Sequence, residues 1–166
     1  MPKFLTVLRY VGTFFLSALF FFMLIVQSDD NISRILEVEH MVTPLWLLQH
    51  RYGFVFLLSP FLLSLAVGLF LLSMDRTDIY AMFQSANLLR LRIAGSCLWM
   101  AYITALSEPR LYGWLSHTEM PSNSSFNDMY LILLAALGAW LSTLSDQSGK
   151  LFKHAKKLRS ELDDIV

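Results

Sequence analysis

Apolar residues in this chain come in unbroken runs instead of stripes. Segments 4–26 and 54–74 include FFLSALFFFMLIV and FVFLLSPFLLSLAVGLFLL, which are apolar on every side of a helix. A helix exposed to water needs a polar face, so these runs predict bilayer spans, not the helices of a soluble bundle. At 1.5 Å per residue each reaches about 30 Å or slightly more, the depth of the hydrocarbon layer. Arg9 is the one charge inside the first run, and the second has none. Two shorter runs follow at 93–106 and 129–144. The third, counted strictly, covers only about 21 Å. It crosses once 88–91 join it and the side chains of Arg90 and Arg92 reach back to the headgroups. The fourth lengthens through Phe126 on one side and past Ser145 on the other. The pattern predicts an all-α polytopic membrane protein of one domain, with four transmembrane helices at about 4–26, 54–74, 88–106 and 127–145 forming a bundle.

The stretches between the runs are also patterned. In SDDNISRILEVEHMVTPLWLLQHRYG, Asp30 or Asn31 is a candidate helix cap. Ile32, Ile35, Leu36, Val38, Val42 and Leu45 would then share a rough apolar face, with Pro44 ending or bending the helix. This predicts a short amphipathic helix on the outer surface, capping the bundle, with Trp46 and Tyr52 in the interfacial belt. In the tail, 146–166, Leu151, Ala155, Leu158, Leu162 and Ile165 follow a 4-3-4-3 spacing. Lys150, Lys153, Lys156, Lys157 and Arg159 occupy much of the rest. Such a basic cytoplasmic helix lies on anionic lipid, the favoured reading, or extends the fourth helix toward a protein partner.

Composition agrees with the pattern. The 166 residues are 55% hydrophobic and 16% charged, with mean hydropathy +0.52. Soluble domains carry about 25% charged residues. Net charge is zero, which gives no support for nucleic acid as a partner. The distribution of charge is more telling. With four spans, both termini and the 75–92 segment share one side, and ten of the 13 Lys and Arg residues fall there. Arg9, Arg76, Arg90, Arg92, Lys150 and Lys153 anchor that side nearest the spans. Only Arg34, Arg51 and Arg110 lie opposite, so the positive-inside rule puts both termini in the cytoplasm. The first run is too long for a signal peptide, and LIVQSDD lacks a small-x-small cleavage site, so it reads as a retained anchor.

Small residues recur four apart: Ser64 and Gly68, Ala101 and Ala105, Ala135 and Ala139, Gly138 and Ser142. Such pairs let helix backbones approach closely, within the bundle or, as the sharper alternative, at a homo-oligomer seam. Pro60 lies inside the second run, where it frees a carbonyl and invites a kink that Ser59 can relieve. A broken transport-type helix is the second reading of the same proline. Cys97, the one cysteine, sits in an apolar run and reads as a small buried hydrophobe.

Candidate chemistry is sparse. Glu37, Glu39, His40, His50 and His117 are metal-ligand residue types assigned to the outer loops, but none has helical zinc-site spacing. Two of these histidines ligating haem is the least favoured reading. Glu108 is likewise assigned to an outer loop, so no acid or histidine is expected at mid-membrane, where proton relays need one. No nucleophile elbow, zinc-protease motif or phosphate-binding glycine loop is present. The expectation is a non-enzyme with no cofactor and no metal. NIS at Asn31 and NSS at Asn123 match the glycosylation pattern, which is without meaning in a bacterium.

MFQSANLLRLRIAGSCLWMAYI resembles the entry to the third span of the YoaS-like family, uncharacterised four-span bacterial membrane proteins. Phe83, Asn87, Leu91, Arg92 and Ile93 match its F-x-x-x-N-x-x-x-L-R-x-I-G-like segment, and Gly95 matches with a displacement of one. The ending is similar too, with Gly149 and Leu151, an acidic stretch and a closing aliphatic residue. Asp164-Ile165-Val166 lacks the family's usual threonine. The resemblance covers 75–166 better than the rest. It implies a bacterial inner-membrane protein, in a family often encoded beside small helix-turn-helix repressors, and it supplies no catalytic residue. Three functional expectations follow. One is a regulatory protein presenting the 75–92 loop and the basic tail to a cytoplasmic partner, with Lys156, Lys157 and Arg159 as the partner or lipid surface. The others are an immunity- or transport-type protein acting within the bilayer, and a haem-binding redox subunit.

Overall fold

A computed structural model describes residues 2–37, 42–74, 85–117 and 128–163. All regular structure among them is helical: α1 (Pro2–Leu36), α2 (Pro44–Gln49), a 3-10 turn (Gly53–Leu57) running into α3 (Leu58–Ser73), α4 (Ser85–Ser116) and α5 (Asp128–Asp163). The segment Thr6–Leu36 and the combined segment Gly53–Ser73 are long and apolar enough to cross a bilayer. The principal packing runs as a series, α1 on α3, α3 on α4 and α4 on α5.

Helix lengths depart from the hydropathy runs. At 1.5 Å per residue α1, α4 and α5 measure about 52, 48 and 54 Å, well beyond the hydrocarbon thickness of about 30 Å. The predicted outer helix starting at Asp30 or Asn31 does not form, because α1 continues through both residues to Leu36. Ile32, Leu36 and Val42 of its predicted apolar face still find burial, whereas Leu45 is exposed and Val38 lies outside the described residues. Ile32 and Leu36 pack with Ile25, Val42, Leu47, Phe56 and Tyr112 in a core at the α3 N-terminal end. Pro44 starts a helix instead of ending one. Its ring suits the first helical position, and Thr43 caps α2 by accepting the Trp46 N–H at 3.2 Å. Pro60 also sits in a first turn, two residues into α3, where its missing N–H breaks no helical bond. The expected mid-span kink is therefore a 3-10 to α junction.

The second core joins α3, α4 and α5 through Leu63, Ala66, Leu91, Cys97, Leu98, Ala101, Ala105 and Leu141. Cys97 is buried there as a small hydrophobe. The α4–α5 crossing depends on glycine. A Cβ on Gly95 would lie 2.5 Å from Ser142 Oγ and 3.0 Å from the Gly138 carbonyl. Ser145 Oγ ties the same pair of helices by donating to the Leu88 carbonyl at 2.7 Å. Of the small residues singled out above, Ser64, Gly68, Ala101 and Ala105 are buried, whereas Ala135 and Ala139 are half-buried. The basic tail does not form a separate helix. It is the continuation of α5, exposed over most of its length.

Candidate functional site

α3 is the shortest of the long helices and the most enclosed, and both of its ends receive charge-bearing side chains from other helices. A helix end leaves its terminal N–H or C=O groups without intrahelical partners, and buried ends need substitutes. At the N-terminus the substitute is Glu108. Its Oε1 accepts the Ser59 N–H at 2.8 Å, and the residue is 1% exposed. This overturns its assignment to an outer loop. α4 continues through Pro109 to Ser116, so residues 107–116 are helical and pack beside the 3-10 turn at the start of α3. Pro60 and Pro109 are both fully buried beside this contact. Ser59 Oγ is also buried and has no hydrogen-bond partner among the described residues.

One turn beyond Glu108, Tyr112 closes the site. Its ring packs against Phe56 at 5.4 Å between centroids, and its hydroxyl lies 3.4 Å from His50 Nε2. His50 is stacked on Trp46. Burial first, and the charge of Glu37 second, push the Tyr112 phenol above its ordinary pKa. It therefore stays protonated as a donor at neutral pH. His50, Arg51, Tyr112, Ser116 and His117 border a small cavity of about 150 Å³ at this end. No group of three His, Cys, Asp or Glu residues suited to a metal occurs among the described residues. Glu39 and His40 lie outside them.

At the other end of α3, two arginines meet the orphan carbonyls. Arg9 Nη2 reaches the carbonyls of Leu71, Leu72 and Met74 at 3.4, 2.9 and 2.5 Å. Arg90 Nη1 donates to the Leu72 carbonyl at 3.2 Å and to Asn87 Oδ1 at 3.1 Å, and Arg90 Nη2 lies 3.5 Å from Tyr10 Oη. The helix dipole is negative here, so the guanidiniums complement it, each by roughly 0.3–1 kcal/mol. Arg9 and Arg90 were expected only to anchor the spans at an interface. Both also hold α3.

The remaining anchors are more ordinary. Arg92 forms an exposed ion pair with Asp146 at 3.7 Å, and Lys157 one with Glu161 at 3.7 Å. Such pairs contribute little. Lys150 and Lys153 are exposed on α5. Lys156 and Arg159 lie on the same helix, and Arg76 and Phe83 fall outside the described residues. Asn31, a candidate glycosylation site, is inside α1, and Asn123 is not described.

Sequence reasoning missed Glu108, although a signal existed. An apolar helix that begins with Ser59-Pro60 needs an acceptor for its first N–H groups, and Glu108 is an acidic residue close to the end of the following run. No known protein family, curated protein or solved structure matches the chain, so the family resemblance rests on the quoted residues alone.

Proposed function

We propose that the chain is a non-enzymatic, four-span bacterial inner-membrane protein with cytoplasmic termini that acts by binding a protein partner through its C-terminal helix. Large apolar side chains exposed on all four long helices support the membrane reading, among them Phe15, Phe61, Ile103 and Leu133. On a soluble surface so much contiguous apolar area would drive aggregation. The ten-to-three cation asymmetry supports the orientation. The single observation that carries the partner reading is the continuity of α5. Its length of about 54 Å exceeds the hydrocarbon by some 20 Å. The protruding part keeps Leu151 71% and Leu158 52% exposed. Apolar residues beyond the lipid on a rigid helix make a partner-binding edge, flanked by Lys150, Lys153 and Lys157.

The test is affinity purification of the full chain from native membranes in mild detergent, followed by mass spectrometry. A partner retained by the full chain and lost on deleting 150–166, or in Leu151→Glu with Leu158→Glu, is the expected result. Retention after the deletion would end the reading.

A second reading, an immunity- or transport-type protein acting within the bilayer, is favoured by one observation, the buried Glu108 carboxyl against Ser59. Ionisable groups enclosed among spans are costly and commonly mark solute or proton paths. This reading predicts a survival or efflux phenotype that is lost in Glu108→Gln and indifferent to the tail deletion. The haem reading retains His50 and His117 at one cavity, and an absorption spectrum without a Soret band would end it.

A further inference from the structure

α1 and α3 pack with small residues between them and large ones at the rims. A Cβ on Gly68 would meet Ser17 Oγ at 2.7 Å, so the backbones are close there, and Ala18 and Ser64 keep the floor low. Phe14, Phe61 and Leu65 stand along the edges. The result is an apolar groove of about 510 Å³ that opens outward between the two helices. It runs from Tyr10 and Leu72 at one end to Phe21 and Phe61 at the other. Eleven residues of helix separate those ends on either side, about 16 Å. That matches the depth of one leaflet, half of a hydrocarbon layer of about 30 Å.

The two ends of the groove differ in charge. Its Tyr10–Leu72 end adjoins Arg9 and Arg90, which share the Leu72 carbonyl, while Arg90 also approaches Tyr10 Oη. Among the described residues, Arg9 makes its contacts through Nη2 alone. A guanidinium has five N–H donors, so those on Nη1 and Nε are left to face a further acceptor. A leaflet-deep apolar channel with two fixed cations at its mouth has the polarity of one phospholipid, a fatty chain below and a phosphate above.

We propose that this groove is a site for an anionic phospholipid, with one acyl chain between α1 and α3 and the headgroup phosphate against Arg9 and Arg90. The inference rests on the membrane reading given under Proposed function, but not on its partner or its orientation. The headgroup must be anionic because the site's fixed charge is positive and no carboxylate among the described residues is bonded to either arginine.

The experiment is native mass spectrometry of the full chain released from detergent after equilibration with phosphatidylglycerol or with phosphatidylcholine of identical chains. Carbonate extraction of membranes is run first, because release from them would overturn the membrane reading and the lipid site together. The expected result is one retained phosphatidylglycerol per chain, favoured on the order of tenfold over phosphatidylcholine. Ala18→Phe, which fills the groove, should lose both adducts. Arg90→Gln should keep the chain contact and lose the headgroup preference. Equal retention of the two lipids by the wild type overturns the proposal, as does unchanged binding by folded Ala18→Phe. So does efficient disulfide cross-linking between copies through Ala18→Cys in a Cys97→Ala background, which would place a second copy over the groove.

Discussion

The Ser59 N–H donates to Glu108 Oε1 at 2.8 Å across 49 positions of sequence. The bond joins the first turn of α3 to the start of α4's last third, and it is buried from both sides. Glu108→Ala strands the Ser59 N–H, which costs about 1–3 kcal/mol. Glu108→Gln keeps an acceptor oxygen in the same place and should lose clearly less. Thermal unfolding in detergent, followed by circular dichroism, separates the two variants. Equal losses would mean that Glu108 contributes volume and not a hydrogen bond.

Arg9 and Arg90 act on one carbonyl, that of Leu72, from two helices. Each removal alone leaves the other guanidinium to hold the α3 C-terminus. Arg9→Gln and Arg90→Gln should therefore be milder singly than their sum predicts when combined. A double-mutant cycle on unfolding free energy should show coupling of roughly 0.5–3 kcal/mol. Strict additivity would show that the two contacts are independent.

The contrast between what hydropathy conveys and what it conceals is visible in α1 and α4. The apolar runs announce helices of the kind that a bilayer, with its demand for internal hydrogen bonding, would hold. They mark the apolar stretch, however, and not the full helix. Ser28, Asp29 and Asp30 look like a break before a separate outer helix because they are polar, yet α1 continues through them to Leu36. Ser28 Oγ turns back to the Leu24 carbonyl at 2.9 Å, and Asp29 Oδ1 accepts the Val42 N–H at 2.6 Å. Glu108-Pro109-Arg110 looks like a loop for the same reason. The helix persists there because Glu108 is buried against the start of α3 and Tyr112 in the core at the α3 N-terminal end, an environment set by tertiary packing that no local window can supply. The arginines stand out in the sequence as cations beside apolar runs, but their targets on α3 were not legible. Those carbonyls become acceptors only because the helix ends where it does.

Gly95 and Gly12 offer a paired test of the α4–α5 seam. Both are helical, but a Cβ on Gly12 meets nothing within 4 Å, whereas one on Gly95 meets Ser142 Oγ at 2.5 Å. Alanine raises intrinsic helix stability by about 0.8–1.0 kcal/mol over glycine. Gly12→Ala should thus be neutral or slightly stabilising. At Gly95 the same gain is opposed by the backbone of α5, since the Gly138 carbonyl and the Ser142 nitrogen lie at 3.0 and 3.1 Å. Gly95→Ala should lower the unfolding temperature, and Gly95→Leu should lower it further. Two variants that behaved alike would remove the close crossing as a source of stability.

Tyr112 gives the site a dependence on pH whose sign follows from its surroundings. Burial and the charge of Glu37 both disfavour the phenolate, so the folded pKa lies above the unfolded value of about 10. Between those two values the unfolded chain releases a proton that the folded chain retains. Stability from this group is complete below the unfolded value and falls as pH rises through it toward the folded one. An unfolding midpoint recorded from neutral to alkaline pH should decline beyond about 10, with part of the slope absent in Tyr112→Phe. Phenolate absorbance of the native protein should show a late-titrating component, and that component should vanish in the variant. If the late component survives in Tyr112→Phe, the buried phenol is elsewhere and the contact with Phe56 and His50 does not shield it.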